Sequence, residues 1–204
     1  MGQTVKKANP KRYPTIVKRR ELRALMAATQ DKALNSHLRT VRKVALTIAR
    51  KIKQKRINID WRRTISAAEL HDMAMLRHQF YFPKSSRDLK KAPNHEKVAG
   101  QILRGMGYIK TAKSVERHAK LLSSKNVKRD FDIEDLLVIY ADTVCKGDKI
   151  VGLDEKIKYD VKKYGNKRGN RIFIENRRLK AFETEMMQQG IDLKAIVEKL
   201  KSNS

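Results

Sequence analysis

Between Leu34 and Lys53 the residues Val41, Val44, Ala45, Ile48 and Ile52 recur at the spacing that sets them on one stripe of an α-helix. So apolar a stripe has to be covered, and the rest of the chain must supply the cover. No stretch alternates apolar and polar residues for long, and 9 Gly, 4 Pro and 6 % aromatic residues are too few for the dense turns of a sandwich or barrel. The covering elements are therefore expected to be helical as well, which makes the fold class all-α. With 204 residues and 40 % apolar content the chain can bury one real core with tails, but has little room for two independent domains.

Further helices follow along the sequence. Leu22, Leu25 and Met26 share a face in a segment starting near Glu21. Next comes a predicted helix from about Thr64 to Leu76, opening with Ser66-Ala67-Ala68-Glu69, a partial capping box whose small residues permit close approach. The segment between Phe80 and Asn94, with Pro83 and Pro93, is polar and turn-prone and reads as a surface loop that could form a lid or substrate rim. His95 opens a helix through Val98, Ala99, Ile102 and Leu103, which Gly105-Met106-Gly107 should stop rather than form a phosphate loop. Residues 111–122 predict one more helix, and 132–145 another with Asp132 as its N-cap. The remainder reads as two or three peripheral helices. The expected organisation is a basic arm over 1–20, a helical domain over 21–160, and C-terminal helices over 161–204 packed on the same domain.

Charge restricts the partners. Lys and Arg number 48 against 22 Asp and Glu, a net charge of +26. The excess is concentrated early: residues 1–63 hold 19 basic and 3 acidic side chains, an excess of 16. Residues 1–20 carry seven basic groups and no acid, as in a flexible or polyproline-like arm, and RNA or another polyanion is the partner such an arm would take. The alternative is a lysine-rich surface that only keeps the protein solvated. Cys145 is alone and cannot form an intramolecular disulfide, and no apolar run is long enough for a membrane span or signal segment. Lys6 also stands where a myristoylation signal wants Ser or Thr. A cytoplasmic protein without membrane attachment is expected, and its oligomeric state is not indicated.

All five histidines fall between residues 37 and 118. His37 lies four residues before Val41, at the edge of the apolar face. Taken alone, such a histidine is more often a satisfied core residue than a ligand. His71 and Asp72, read as neighbours on one helix about 100° apart, could both reach one inward cavity. Asp142 is more telling, because it follows Leu-Leu-Val-Ile-Tyr-Ala on a largely apolar helix where an isolated carboxylate is costly to bury. A metal ion would neutralise it.

The set His37, AAELHD around His71 and Asp72, NHEKVAGQILRGMGY around His95, ERHA around His118 and IEDLLVIYADTVCKGDK around Asp142 resembles the HD superfamily of metal-dependent phosphohydrolases, in the order H…HD…H…H…D. The resemblance covers about residues 30–160 and implies a compact HD-type helical bundle with peripheral C-terminal helices. By the same resemblance His37, His71, Asp72 and Asp142 would hold one divalent metal, while His95 and His118 would complete a second with Asp72 bridging. With a single ion, His95 and His118 would contact substrate phosphate instead. Imidazole and carboxylate ligands suit manganese, iron, cobalt or nickel. Two departures stand out. Met75 and Thr143 occupy positions where the family often carries lysine, which leaves Arg77 and Lys146 as candidates to contact phosphate, or as solvated surface charges. His78 lies outside the family pattern and reads as structural.

Two functions follow. The first is hydrolysis of a phosphate ester of a nucleotide, a dinucleoside polyphosphate or an RNA end, with Asp72, Arg77 and Lys146 as candidate catalytic groups. The second is an RNA- or ribonucleoprotein-binding protein that keeps the scaffold with little or no catalysis. The complete ligand set favours the enzyme, since so many inward polar groups are hard to explain as packing.

Overall fold

The structure is a computed structural model that describes residues 31–76, 95–164 and 169–203, with positions 16, 18, 20, 21 and 24. The proposed helix face at Leu22, Leu25 and Met26, most of the basic arm, the proposed loop with Pro83 and Pro93, and both Arg77 and His78 lie outside the described residues. The described part is built of helices: α1 (Lys32–Gln54), α2 (Trp61–Leu70), α3 (His95–Gly105), α4 (Ile109–Arg117), α5 (Ile133–Thr143), α6 (Leu153–Tyr164), α7 (Gly169–Gln188) and α8 (Leu193–Ser202). Single helical turns lie at Met73–Leu76, Leu121–Ser123 and Val127–Asp130.

Local chemistry explains the boundaries. Asp31 caps α1 by accepting from the Leu34 N–H at 2.8 Å, and the helix ends with Lys51 and Lys53 near its negative pole. Its buried stripe is Leu38, Val41, Val44, Ala45, Ile48, Ala49 and Ile52, the one read from the spacing. Asp60 caps α2 through the Arg63 N–H at 3.2 Å, so this helix starts well before the Ser66 box expected from sequence. It also stops early, at Leu70, and His71 and Asp72 stand beyond its last turn rather than within it. Ala67 and Ala68 are fully buried, as close approach requires. Gly107, at φ +86°, ends α3: the Tyr108 N–H reaches the Leu103 carbonyl at 2.8 Å and the Gly107 N–H that of Arg104 at 2.9 Å. The helix expected over 111–122 runs instead from Ile109 to Arg117. Asp132 is the N-cap of α5.

Helix α1 packs on α2 and α5, α2 also on α4 and α5, and α3 lies against α4 and the Met73–Leu76 turn. A two-stranded antiparallel hairpin, β1 (Cys145–Lys146) and β2 (Lys149–Ile150), follows α5 and rests on α1. No strand was expected from the sequence, because a pair of two-residue strands is too short to leave an alternation. Helix α6 packs on α7, α7 on α5, and α8 on α1, α7 and β2. Leu179, Phe182, Met186, Leu193 and Val197 of these last helices join the central core, so they do more than cover it. Helix α6 runs without a break through residue 160.

Candidate metal centre

The four helices α1, α2, α4 and α5, with the start of α3, bring His37, His71, Asp72, His95, His118 and Asp142 to one place. Backbone position accounts for much of the aim. His71 and His118 are each the first residue past a helix, where carbonyls have lost their intrahelical partners. Each ring turns back to fill one of them: Nδ1 of His71 bonds the Ala68 carbonyl at 2.9 Å, and Nδ1 of His118 the Val115 carbonyl at 2.8 Å. His37 does the same from another direction, its Nδ1 meeting the Gly147 carbonyl at the hairpin tip at 2.9 Å. A carbonyl only accepts, so Nδ1 donates in all three rings, and Nε2, the atom that offers a lone pair once the ring is neutral, faces the cluster.

Asp72 is the hub. Its Oδ2 lies 3.5 Å from His71 Nε2 and 4.0 Å from His37 Nε2. Its Oδ1 lies 2.8 Å from His95 Nε2 and 3.4 Å from His118 Nε2. Asp142 Oδ1 closes the first side, 3.1 Å from His37 Nε2 and 3.4 Å from His71 Nε2. Donors held about 2.1 Å from one ion stand roughly 3.0–3.4 Å apart, and most of these separations lie near that range. His71 Nε2 is buried and has no hydrogen-bond partner. Such an orphan costs about 1–3 kcal/mol unless something satisfies it, and a cation does so while neutralising two carboxylates. The residues therefore fit a metal. Three triads can hold one: His37, His71 and Asp72; His71, His118 and Asp142; and Asp72, His95 and His118.

Protons and a metal compete for these atoms. Burial alone would lower the His71 pKa, but Asp72 and then Asp142 overcome it and push it up to about 9. His37 and His95 are raised against the same burial, by Asp142 and Asp72 respectively. Asp72 is held far below the carboxylate range by His71, His118 and His95 in spite of burial, and Asp142 by His71 and His37.

The family model of the HD domain matches residues 35–146, more than half of the chain. This chain belongs to the HD-domain family. No curated protein and no solved structure matches it. The matched span runs from α1 into β1 and contains all six cluster residues, and HD domains are generally metal-dependent phosphohydrolases.

Around this HD centre the other candidates are placed differently. Lys146 is not among the clustered side chains; it sits on the hairpin with Nζ 3.7 Å from the centroid of the Tyr159 ring. Thr143, at one of the positions where the family often carries lysine, donates its hydroxyl to the Ile139 carbonyl at 2.8 Å within its own helix. Glu96 was not singled out by its sequence context: it is buried, with Oε1 3.4 Å from His95 Nε2 and Oε2 without a partner. Its adjacency to His95 was the available signal. Equally hidden was a charged network that joins the site's helices. Arg63 of α2 donates to Ser114 at 2.8 Å, Asp132 at 2.9 Å and Asp135 at 2.6 Å, and Arg117 of α4 reaches Asp135 at 2.5 Å. These partners are 18 to 72 residues apart, beyond any local pattern. No helix among the described residues is long and apolar enough to cross a membrane.

Proposed function

We propose that this HD-domain protein is a metal-dependent phosphohydrolase acting on a phosphate ester of a nucleotide, a dinucleoside polyphosphate or an RNA end. The observation that carries the reading is the division of labour at Asp72, with Oδ2 toward His37 and His71 and Oδ1 toward His95 and His118. On this reading His37, His71, Asp72 and Asp142 hold one divalent ion, and His95 and His118 a second across the bridging Asp72. Manganese, iron, cobalt or nickel suit that donor set. Bound there, such ions supply a Lewis acid for phosphoryl oxygens and lower the pKa of water toward neutrality. The chain's own part is preorganisation. Three rings are locked by backbone carbonyls, so no rotamer has to be selected when a ligand arrives. Leu137, Val138 and Ala141 of α5, the helix that carries Asp142, are buried in the core and anchor it. Asp142, with 32 % of its side chain exposed, marks the open side by which a phosphate ester enters.

The test is elemental analysis joined to a hydrolysis screen. Purified protein should hold one or two transition-metal ions per chain, and His71→Ala or Asp72→Ala should lose most of them. Chelation should abolish hydrolysis, manganese or cobalt should restore it, and oxygen from labelled water should appear in the released phosphate. Protein that takes up no metal on titration would overturn the reading, and a stable phosphoenzyme would contradict direct attack by water. The +26 charge favours a second reading, an RNA-binding protein on the same scaffold; RNA binding with no hydrolysis of any substrate class would decide for it.

A further inference from the structure

From residue 32 to residue 56, through α1 and its exit, the chain holds nine Lys and Arg residues and no Asp or Glu. Arg42 among them pairs with Glu69 at 2.9 Å. At the far end of the helix the positive charge has no such partners. Arg50, Lys51, Lys53, Lys55, Arg56 and, in the first turn of α2, Arg62 are exposed, and none of them pairs with a carboxylate among the described residues. The carboxylates near this corner are engaged with other groups. Glu134, Asp132 and Asp135 are matched by Arg63 at 3.8 Å, Lys113 at 3.7 Å and Arg117 at 2.5 Å. That leaves Asp60, which caps α2 through the Arg63 N–H, and Asp192, which caps α8 through the Ala195 N–H, against six cations. The negative pole of α1 offsets only about half a charge more.

Two residues of the corner are placed as a binding surface requires. Arg56, at φ +59°, is the one non-glycine residue at positive φ among the described residues. Its N–H bonds the Lys53 carbonyl at 2.9 Å and the next N–H, that of Ile57, bonds the Ile52 carbonyl at 3.3 Å, which is the helix exit where glycine is the usual residue. A side chain there strains the backbone. Nothing in the fold offsets that strain, since Arg56 is exposed and unpaired, and such outliers gather at functional sites. Trp61, the only tryptophan of the chain, is 40 % exposed, with the Arg62 guanidinium 5.6 Å from the centroid of its ring. An exposed indole among cations is a platform on which a base stacks while the cations take the flanking phosphates. An anionic membrane would need more apolar residues beside the ring, and Asn58, Asp60 and Arg62 are polar.

We propose that the corner formed by the end of α1, the link over 55–60 and Trp61–Arg62 binds single-stranded nucleic acid, with phosphates on Arg50, Lys53, Arg56 and Arg62 and one base stacked on Trp61. Arg50 stands about 20 Å along α1 from His37. The surface therefore uses none of the metal centre and includes no residue of the 1–20 segment, and it holds whether or not the protein is a hydrolase.

The experiment titrates the metal-loaded full chain with an oligouridylate of about twelve nucleotides, hydroxyl at both ends, and in parallel with inorganic polyphosphate of similar charge. Because Trp61 is the only tryptophan, its fluorescence reports on the stacked base directly. Oligouridylate should quench it, and polyphosphate, which can occupy only the cations, should not. Trp61→Ala should weaken oligouridylate binding at least about fivefold and leave polyphosphate binding unchanged. Arg50→Gln/Lys53→Gln should lower the slope of log affinity against log salt by about 1.4, for two phosphate contacts at about 0.7 each. Arg56→Gly should separate binding from folding: glycine relieves the left-handed backbone and raises the melting temperature, while oligouridylate binds more weakly. Should the double variant fail to fold, Arg56→Gly alone must lower the salt slope. Bound oligouridylate that leaves Trp61 unquenched, equal quenching by polyphosphate, an unchanged salt slope, or tighter binding of a duplex of the same length overturns the surface. Quenching by oligouridylate in a protein that hydrolyses no phosphate ester would refute the hydrolase reading and leave the surface standing. Hydrolysis without any quenching would do the reverse.

Discussion

At the scale of single residues, His71 couples the centre to pH. It is fully buried, its Nε2 faces Asp72 and Asp142, and its pKa is pushed up to about 9 against burial by those carboxylates. In metal-free protein a raised histidine contributes stability that is complete below the unfolded value of about 6.5 and is lost as pH rises through about 9. Asp72 and Asp142 are depressed, so their contribution is present above about pH 4 and is lost as pH falls toward their lowered values. The cluster therefore stabilises the metal-free fold most between about pH 4 and about pH 6.5. A bound metal needs neutral imidazole, so its affinity should climb with pH until His71 has lost its proton, and uptake should release protons. Denaturation midpoints of metal-free and metal-loaded protein should diverge from about pH 6 to about pH 9, and calorimetry in two buffers of different ionisation enthalpy should register the protons. A gap between the two forms that is constant across this range would count against His71 as a ligand.

At the scale of elements, helix ends and one ion network determine where the ligands point. Placing His71 and His118 just past α2 and α4 lets the unfilled carbonyls at those ends orient both rings. The helices themselves are joined by Arg63 in the first turn of α2, Ser114 and Arg117 near the end of α4, and Asp135 in the first turn of α5, in a space where the Asp135 side chain is fully buried and that of Arg63 is 9 % exposed. Removing one partner of such a buried pair typically costs about 3–5 kcal/mol, because the other charge is left without compensation. Arg63→Met should destabilise the metal-free protein by that order in urea denaturation, and should weaken metal binding although Arg63 touches no ligand. A loss below about 1 kcal/mol would mean that Arg117 alone sustains Asp135.

At the scale of the whole molecule, the C-terminal helices clamp the site from outside. Tyr140, two residues before Asp142, donates to Glu183 of α7 at 2.7 Å and meets Phe182 edge-on. Arg178 of the same helix bonds the Leu121 and Ser124 carbonyls beyond α4. The net charge of +26 acts at this scale as well, and residues 1–20 contain seven basic groups and none of the cluster residues. If they bind RNA, deleting them should reduce the slope of log affinity against log salt by about 0.7–0.9 for each phosphate that the arm had neutralised. Metal content and nucleotide hydrolysis should persist in the deleted protein. An unchanged salt slope would move the RNA-binding surface to another basic part of the chain.

The stripe Val41, Val44, Ala45, Ile48 and Ile52, the caps Asp132 and Gly107, and the ordered series from His37 to Asp142 could all be read along the chain. Each depends on spacing within one helix or on the residue types in a short motif, and both are local. The end of α2 at Leu70 was not legible, since Ala74 and Leu76 continue the apolar spacing and only tertiary packing decides that His71 leaves the helix. Nor could local spacing tell which oxygen of Asp72 faces which histidines, or that Lys146 meets Tyr159 rather than the cluster. The sequence by itself determined an all-helical chain and the inventory of donors for a metal. Tertiary structure alone decided their division around Asp72 and the Arg63–Asp135 connection, because those contacts join groups many residues apart, whose distances exist only once the helices have packed.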